Sequence, residues 1–140
     1  MKFGERSLNN LKGIHPDLVK VMMAAIENSP VDFTITDGVR TTEQQKALYA
    51  KGRTAPGKIV TNADGVNRKS NHQVKSDGFG YALDLYPYIN GRINLNDTTN
   101  VLPKIAKHII TTAHRLNVKV EWGGAWRSFI DKPHFELKKS

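Results

Sequence analysis

Gly80-Tyr81-Ala82-Leu83-Asp84-Leu85-Tyr86 is the stretch on which the fold turns. Tyr81, Leu83 and Leu85 alternate with Ala82, Asp84 and Tyr86, which is the period of a β-strand with one apolar face. Asp84 sits between two leucines, where an ionised carboxylate is costly unless it is paired or bound to a metal. Ala82, on the same face, leaves room for a metal or a substrate. These residues leave two readings open. Asp84 accepts backbone hydrogen bonds or pairs with an arginine, or it is a metal ligand.

Outward from this strand the chain alternates between elements. Asn90-Gly91 marks a hairpin turn. Val31, Phe33 and Ile35 predict a strand upstream; Val118, Val120 and Trp122, then Phe135 and Leu137, predict two downstream. Residues 16–27 have helical spacing in Leu18, Val21, Met22 and Ala25, with Pro16 and Asp17 suited to a first turn. Thr42 and Gln45 have capping-box spacing for a second helix, ending near Lys51 before Gly52. Residues 98–116 predict a third, with Asn117 closing it. Residues 53–80 lack apolar periodicity and carry turn pairs such as Asp64-Gly65 and Asp77-Gly78, a long irregular stretch of the kind that is often functional. The expected fold is α+β: a small antiparallel sheet packed with about three helices, in a single domain over residues 1–140 with no separate binding domain.

Composition excludes several chemistries. There is no cysteine, so thiolate metal sites, thiol nucleophiles and disulfides are absent. No apolar run reaches the length of a membrane span, and Met1 to Asn10 is too polar for a secretory signal. Synthesis in a cytoplasm is expected, with action elsewhere requiring another protein for release. The net charge of +8 favours polyanionic partners, and its dispersal along the chain argues against a nucleic-acid arm.

Five histidines are present. His15, His108 and His114 lie at or on predicted helices without convergent partners. His72 lies in Ser70-Asn71-His72, and His134 in Asp131-Lys132-Pro133-His134 at the start of the last strand. With Asp84 they offer three ligands of the kind that leaves a catalytic zinc one open position, and Asp131 is a spare carboxylate nearby. On the last strand His134 and Glu136 share a face, with Phe135 and Leu137 on the core side.

Ser70-x-His72, Gly80-x-Ala82-x-Asp84 and Asp131-x-x-His134, in this order, resemble the zinc peptidases of the D-alanyl-D-alanine carboxypeptidase type. Gly38-Val39-Arg40-Thr41 with Gln44 resembles that family's arginine segment. Asp84-Leu85-Tyr86-Pro87-Tyr88, Trp122-Gly123-Gly124-x-Trp126 and Pro133-His134-Phe135-Glu136-Leu137 resemble its bacteriophage endolysin branch, the L-alanyl-D-glutamate endopeptidases. The resemblance spans about residues 15 to 137. It implies one Zn²⁺ held by His72, Asp84 and His134, Asp131 as general base, and Arg40 as the cation facing the oxyanion. It implies Glu136 behind the ligands. From the residues alone, Ser70 suits positioning of His72 or substrate, Gln44 either orients Arg40 or completes a helix surface, and Trp122 and Trp126 either grip substrate or pack in the core at a sheet edge. Gly80 stands eight residues after His72, against three in the usual family spacing, so Gln73 to Phe79 hold an insertion. That insertion is expected to be a surface loop at the cleft rim, touching substrate rather than core.

The implied activity is peptidoglycan hydrolysis by a monomer at the L-alanyl-D-glutamate bond, after release through a separate pore-forming protein. The rival enzyme reading is a D-alanyl-D-alanine carboxypeptidase or dipeptidase on the same fold. A non-catalytic wall-binding module is disfavoured by the presence of Asp131 and Arg40. A nucleic-acid-binding module is disfavoured because the aromatic residues do not interleave with Arg and Lys.

Overall fold

The computed structural model describes residues 1–95, 101–127 and 130–138. Its centre is strand β2, Ala82–Ile89, between β1 (Phe33–Asp37) and β5 (His134–Leu137), with β4 (Val120–Trp122) beyond β5; all pairings are antiparallel. A short β3, Arg92–Ile93, folds back on the end of β2. The turn between them is Asn90-Gly91, both at positive φ (54° and 76°), as a two-residue hairpin requires.

The alternation in β2 separates two faces. Leu83, Leu85, Phe33, Ile35 and Phe135 are buried in the apolar core. Two helices pack against the sheet: α2, Pro16–Glu27, through Leu18, Val21, Met22, Ala25 and Ile26, and α4, Leu102–Arg115, through Leu102, Ile105, Ala106, Ile109 and Ala113. Full burial of each Leu, Ile, Met or Phe contributes roughly 1.5–3 kcal/mol. This layer fixes the frame on which the polar face is built.

The helix ends follow local chemistry. His15 caps α2, its Nδ1 accepting from the Asp17 N–H, with Pro16 at the first position. After α4, Asn117 takes a left-handed conformation (φ 61°), and the N–H groups of Asn117 and Val118 donate back to His114 and Ala113. Of the expected span 98–116, residues 98–100 lie outside the described part. The second predicted helix, α3, runs Thr42–Ala50, but its capping box is Thr41 with Gln44, one residue earlier than expected.

A fourth helix, α1 (Glu5–Asn10), was not legible in the sequence. It has no side-chain cap and one buried residue, Ser7. Its role is to cover the edge strand β1. Ser7 Oγ accepts from the Ile35 N–H at 2.9 Å, and Asn10 Nδ2 donates to the Ile35 carbonyl at 2.8 Å. Helical periodicity of apolar residues cannot report a helix that docks through polar groups.

Between α3 and β2 the chain has no regular element, and buried amides tie it down. Gln45, fully buried, donates to the Ala63 carbonyl (2.8 Å) and Gln73 donates to the Gly65 carbonyl (3.0 Å). Asp64 Oδ1 accepts from the N–H groups of Val66, Asn67 and Arg68, each at 2.9 Å, which holds the Asp64 carboxyl below its usual range.

A candidate metal centre in a mixed-charge cleft

Antiparallel register sets Asp84 directly across from His134, and Ala82 across from Glu136. On the other side of β2, Asp84 pairs in register with Asp37, where β1 is irregular between Ile35 and Asp37. His72 comes from the irregular stretch. Its loop is fixed to the frame by the Tyr81 N–H donating to the Asn71 carbonyl (2.8 Å) and the Arg40 N–H donating to the His72 carbonyl (2.8 Å). The Ser70 hydroxyl accepts from the His72 N–H at 3.1 Å, so Ser70 positions this histidine.

Among the described residues, His72, Asp84 and His134 form a group that could hold a metal ion. His72 Nε2 and His134 Nδ1 are 3.2 Å apart, and each is 3.5 Å from Asp84 Oδ1. Donors about 2.0–2.1 Å from a tetrahedral ion stand about 3.3–3.4 Å from one another, so the three atoms match three corners of such a site. Asp84 Oδ1 is buried and has no hydrogen-bond partner. An orphaned carboxylate oxygen facing two imidazole nitrogens is the pattern expected of a ligand set.

The far side of each ring has its own acceptor. His72 Nδ1 faces the Gly38 carbonyl at 3.0 Å, and His134 Nε2 faces Glu136 Oε1 at 2.8 Å. With the proton on those nitrogens, His72 Nε2 and His134 Nδ1 present lone pairs to the cluster. Gly38 must be glycine, because a Cβ there would collide with the Asn10 carbonyl. Glu136 in turn accepts from Asn71 Nδ2 at 3.0 Å, and Asn71 Oδ1 accepts from Lys75 at 2.8 Å.

The electrostatics call for positive charge at this point. Burial pushes the Asp84 carboxyl up, but the two histidines outweigh it and hold the group far below its usual range. Burial disfavours a charged His134, yet the Asp84 carboxylate 3.5 Å away and the hydrogen bond to Glu136 raise it to about 9. Carboxylates that favour a proton here also favour a cation. Asp131 behaves differently. Burial first, and then the charge of Asp84, push its carboxyl above the usual range, against the pull of the histidines and Arg40. It stands 3.9 Å from His134 Nδ1 and is half exposed.

Asp131 is held by a turn in which the His134 N–H donates to its carbonyl (3.1 Å), while its own N–H donates to Gly123 (3.0 Å). Gly123, in a short 3-10 turn (Gly123–Ala125), lacks the Cβ that would block this approach. A cleft of about 700 Å³ opens here, and its walls include Arg40, Ser70, His72, Trp126, Asp131, His134 and Glu136. Arg40 is held in place by Asp37 Oδ2 and Gln45 Oε1, both at 2.8 Å.

At three places the structure decides between open readings or narrows one. Gln44 does not reach Arg40; it closes the capping box with Thr41, and Gln45 holds the guanidinium. The two readings of the tryptophans divide between them: Trp122 takes the packing role, its indole N–H donating to the Lys132 carbonyl (2.6 Å) and its ring against the core, while Trp126 lines the cleft with its ring centre 5.0 Å from that of His134. Residues 74–78 are exposed, as expected of a surface loop, but none of Gln73 to Phe79 is among the residues lining the cleft. Gln73 is buried, Phe79 packs on the core, and Lys75 braces Asn71. Asn71, Gln45 and Gly38 were missed. The sequence signal for Gln45 was a polar residue on the inward side of a helix; Asn71 and Gly38 gave none beyond their place beside motif residues.

The family model for phage L-alanyl-D-glutamate peptidases matches residues 1–138. The chain belongs to this family. As a phage-type L-alanyl-D-glutamate peptidase it is 34% identical over 138 residues to the L-alanyl-D-glutamate peptidase of Escherichia phage T5, covering 99% of this chain and 90% of that protein. It is 32% identical over 136 residues to the peptidoglycan L-alanyl-D-glutamate endopeptidase CwlK of Bacillus subtilis (strain 168), covering 89% of this chain and 73% of CwlK. The crystal structure of the Serratia marcescens L-Ala D-Glu endopeptidase ChiX matches it with a TM-score of 0.76 at 28% identity, over 99% of this chain and 90% of ChiX. The α+β fold expected from the sequence is therefore the fold of a known peptidase.

Proposed function

We propose that this peptidase hydrolyses the L-alanyl-D-glutamate bond of peptidoglycan stem peptides, with Zn²⁺ held by His72, Asp84 and His134. The observation that carries the reading is the orphaned Asp84 oxygen facing two imidazole nitrogens at tetrahedral spacing, in a cleft that also receives Asp131 and Arg40. Two neutral imidazoles and one carboxylate suit the borderline character of zinc. A bound zinc supplies Lewis acidity and brings the ionisation of water near neutral pH.

The rest of the chemistry belongs to side chains. Asp131, half exposed at the cleft and 3.9 Å from His134 Nδ1, takes a proton from the attacking water and passes it to the leaving amine. Arg40 stays cationic, and its anchoring by Asp37 and Gln45 lets it meet the developing oxyanion without reorganising. Glu136 orients His134, and Ser70 orients His72. A net charge of +8 draws the protein toward an anionic wall. No described helix is long and apolar enough to cross a membrane. Passage to the wall is assigned to a separate pore-forming protein.

Digestion of purified muropeptides tests this reading. Mass analysis should find fragments with a new D-glutamyl N-terminus, activity should disappear with chelator, and zinc should restore it. Release of terminal D-alanine instead would move the enzyme to the carboxypeptidase type.

A further inference from the structure

The cleft lining is mixed in charge. Asp131 and Glu136 face it near the cluster, and Arg68 and Lys69 contribute to it from the irregular stretch, next to Ser70. Arg40, the third cation of the lining, is already paired with Asp37 and Gln45. Arg68 and Lys69 are exposed, and neither side chain has an ion-pair or hydrogen-bond partner among the described residues.

The backbone beneath Arg68 is fixed. Its N–H donates to Asp64 Oδ1 (2.9 Å), and its carbonyl accepts from the Gly65 N–H (3.0 Å). The Gly65 carbonyl accepts from Gln73, whose Oε1 accepts from the Ser70 N–H. The root of the Arg68 side chain is thereby tied to residues on both sides of His72. Such a construction suits a side chain that reads a group at a set distance from the reaction centre.

A D-glutamyl residue in a chain uses its amine and one carboxyl for peptide bonds and keeps the other, close to the bond made by its amine. In this cleft that carboxylate is repelled by Asp131 and Glu136. Arg68 and Lys69 are the cations with open valence, and a guanidinium fork binds a carboxylate through two parallel hydrogen bonds. We infer that Arg68, assisted by Lys69, binds the free carboxylate of the D-glutamyl residue, so that the enzyme selects stem peptides bearing that carboxylate over those in which it is amidated. This rests on the L-alanyl-D-glutamate reading above.

The test uses the zinc-loaded enzyme and two soluble muropeptides that differ only in this group, carboxylate or primary amide. The wild type should prefer the carboxylate peptide in kcat/KM by about tenfold or more, the worth of a charge-assisted hydrogen bond in a partly open cleft. Arg68→Ala should erase the preference by raising KM for the carboxylate peptide alone; Arg68→Lys should keep part of it, and Lys69→Ala should lose less. Equal loss on both peptides would mean general attraction to anions and overturns the inference. A preference that survives in the Arg68→Ala/Lys69→Ala variant also overturns it. A wild type that cleaves neither peptide refutes the bond assignment. Binding of the two peptides to Asp131→Asn then reads the carboxylate site by itself, and equal affinity sinks it.

Discussion

Replacing Glu136 by glutamine removes one charge and almost no volume, yet the structure gives the amide no satisfactory orientation. Glu136 Oε1 accepts from His134 Nε2 at 2.8 Å, and Oε2 accepts from Asn71 Nδ2 at 3.0 Å. A glutamine that keeps its oxygen on His134 turns its NH₂ toward the NH₂ of Asn71. Flipping Asn71 relieves that contact but drives its NH₂ against the Lys75 ammonium, which now sits 2.8 Å from Asn71 Oδ1. One hydrogen bond is lost whichever amide turns. With the weaker acceptor behind His134, metal affinity should fall by about 10–100-fold, or about 1.4–2.8 kcal/mol, the usual effect of removing a partner of a metal-ligating histidine. Asn71→Ala removes the clash along with the bond, so its loss and that of Glu136→Gln should not add. The double variant should bind metal more tightly than the sum predicts, with a coupling energy of about 0.5 kcal/mol or more. Competition with a chelator of known affinity measures all four proteins, and circular dichroism checks their folding. Additive losses within about 0.3 kcal/mol, or unchanged affinity in Glu136→Gln, would refute the network argument.

Asp131→Asn should keep its metal and fold while losing roughly 10²–10⁴ in rate, and activity in that variant with Glu136→Gln dead would reverse the two roles. Asp84→Ala should lose metal by elemental analysis, whereas Arg40→Ala should retain it and lose rate. The Asp64 carboxyl lies below its unfolded value, chiefly through its bond to the Arg68 N–H. Its stabilising effect is therefore full above about pH 3.9, the unfolded pKa, and is lost as pH falls through the lower folded value. The melting temperature of Asp64→Ala should lie below that of the wild type at pH 6 and converge with it in strong acid. A constant gap across that range would show that the carboxylate charge is not what holds the loop.

Helices α2 to α4, the main strands and the metal-ligand candidates were legible because each rests on local chemistry. Alternation in residues 81–86 gave β2 and placed Asp84 on the face opposite the leucines. Pro16 and Asp17 marked the start of α2, Asn117 the end of α4, and Asn90-Gly91 the hairpin. Where the signal was a single polar spacing it slipped. The capping box moved by one residue, and with it Gln44 and Gln45 exchanged the roles of cap and arginine partner.

What the sequence determined by itself is the set of chemical groups and their order: two histidines, a strand carboxylate, a spare aspartate and an arginine, in a basic chain without cysteine. Tertiary structure alone decided their convergence. Sheet register, set by packing of the core face, put His134 across from Asp84. The Gly38 carbonyl and the side-chain amides of Asn71, Gln45 and Gln73 fixed, in that order, the ring of His72, the carboxylate behind His134, the guanidinium of Arg40 and the loop under Arg68. Hydrogen bonds of this kind join residues far apart in the chain, and their partners exist only once the chain has folded. That is why α1, the brace from Lys75 and the departure of Trp122 from the cleft had to be read from the structure.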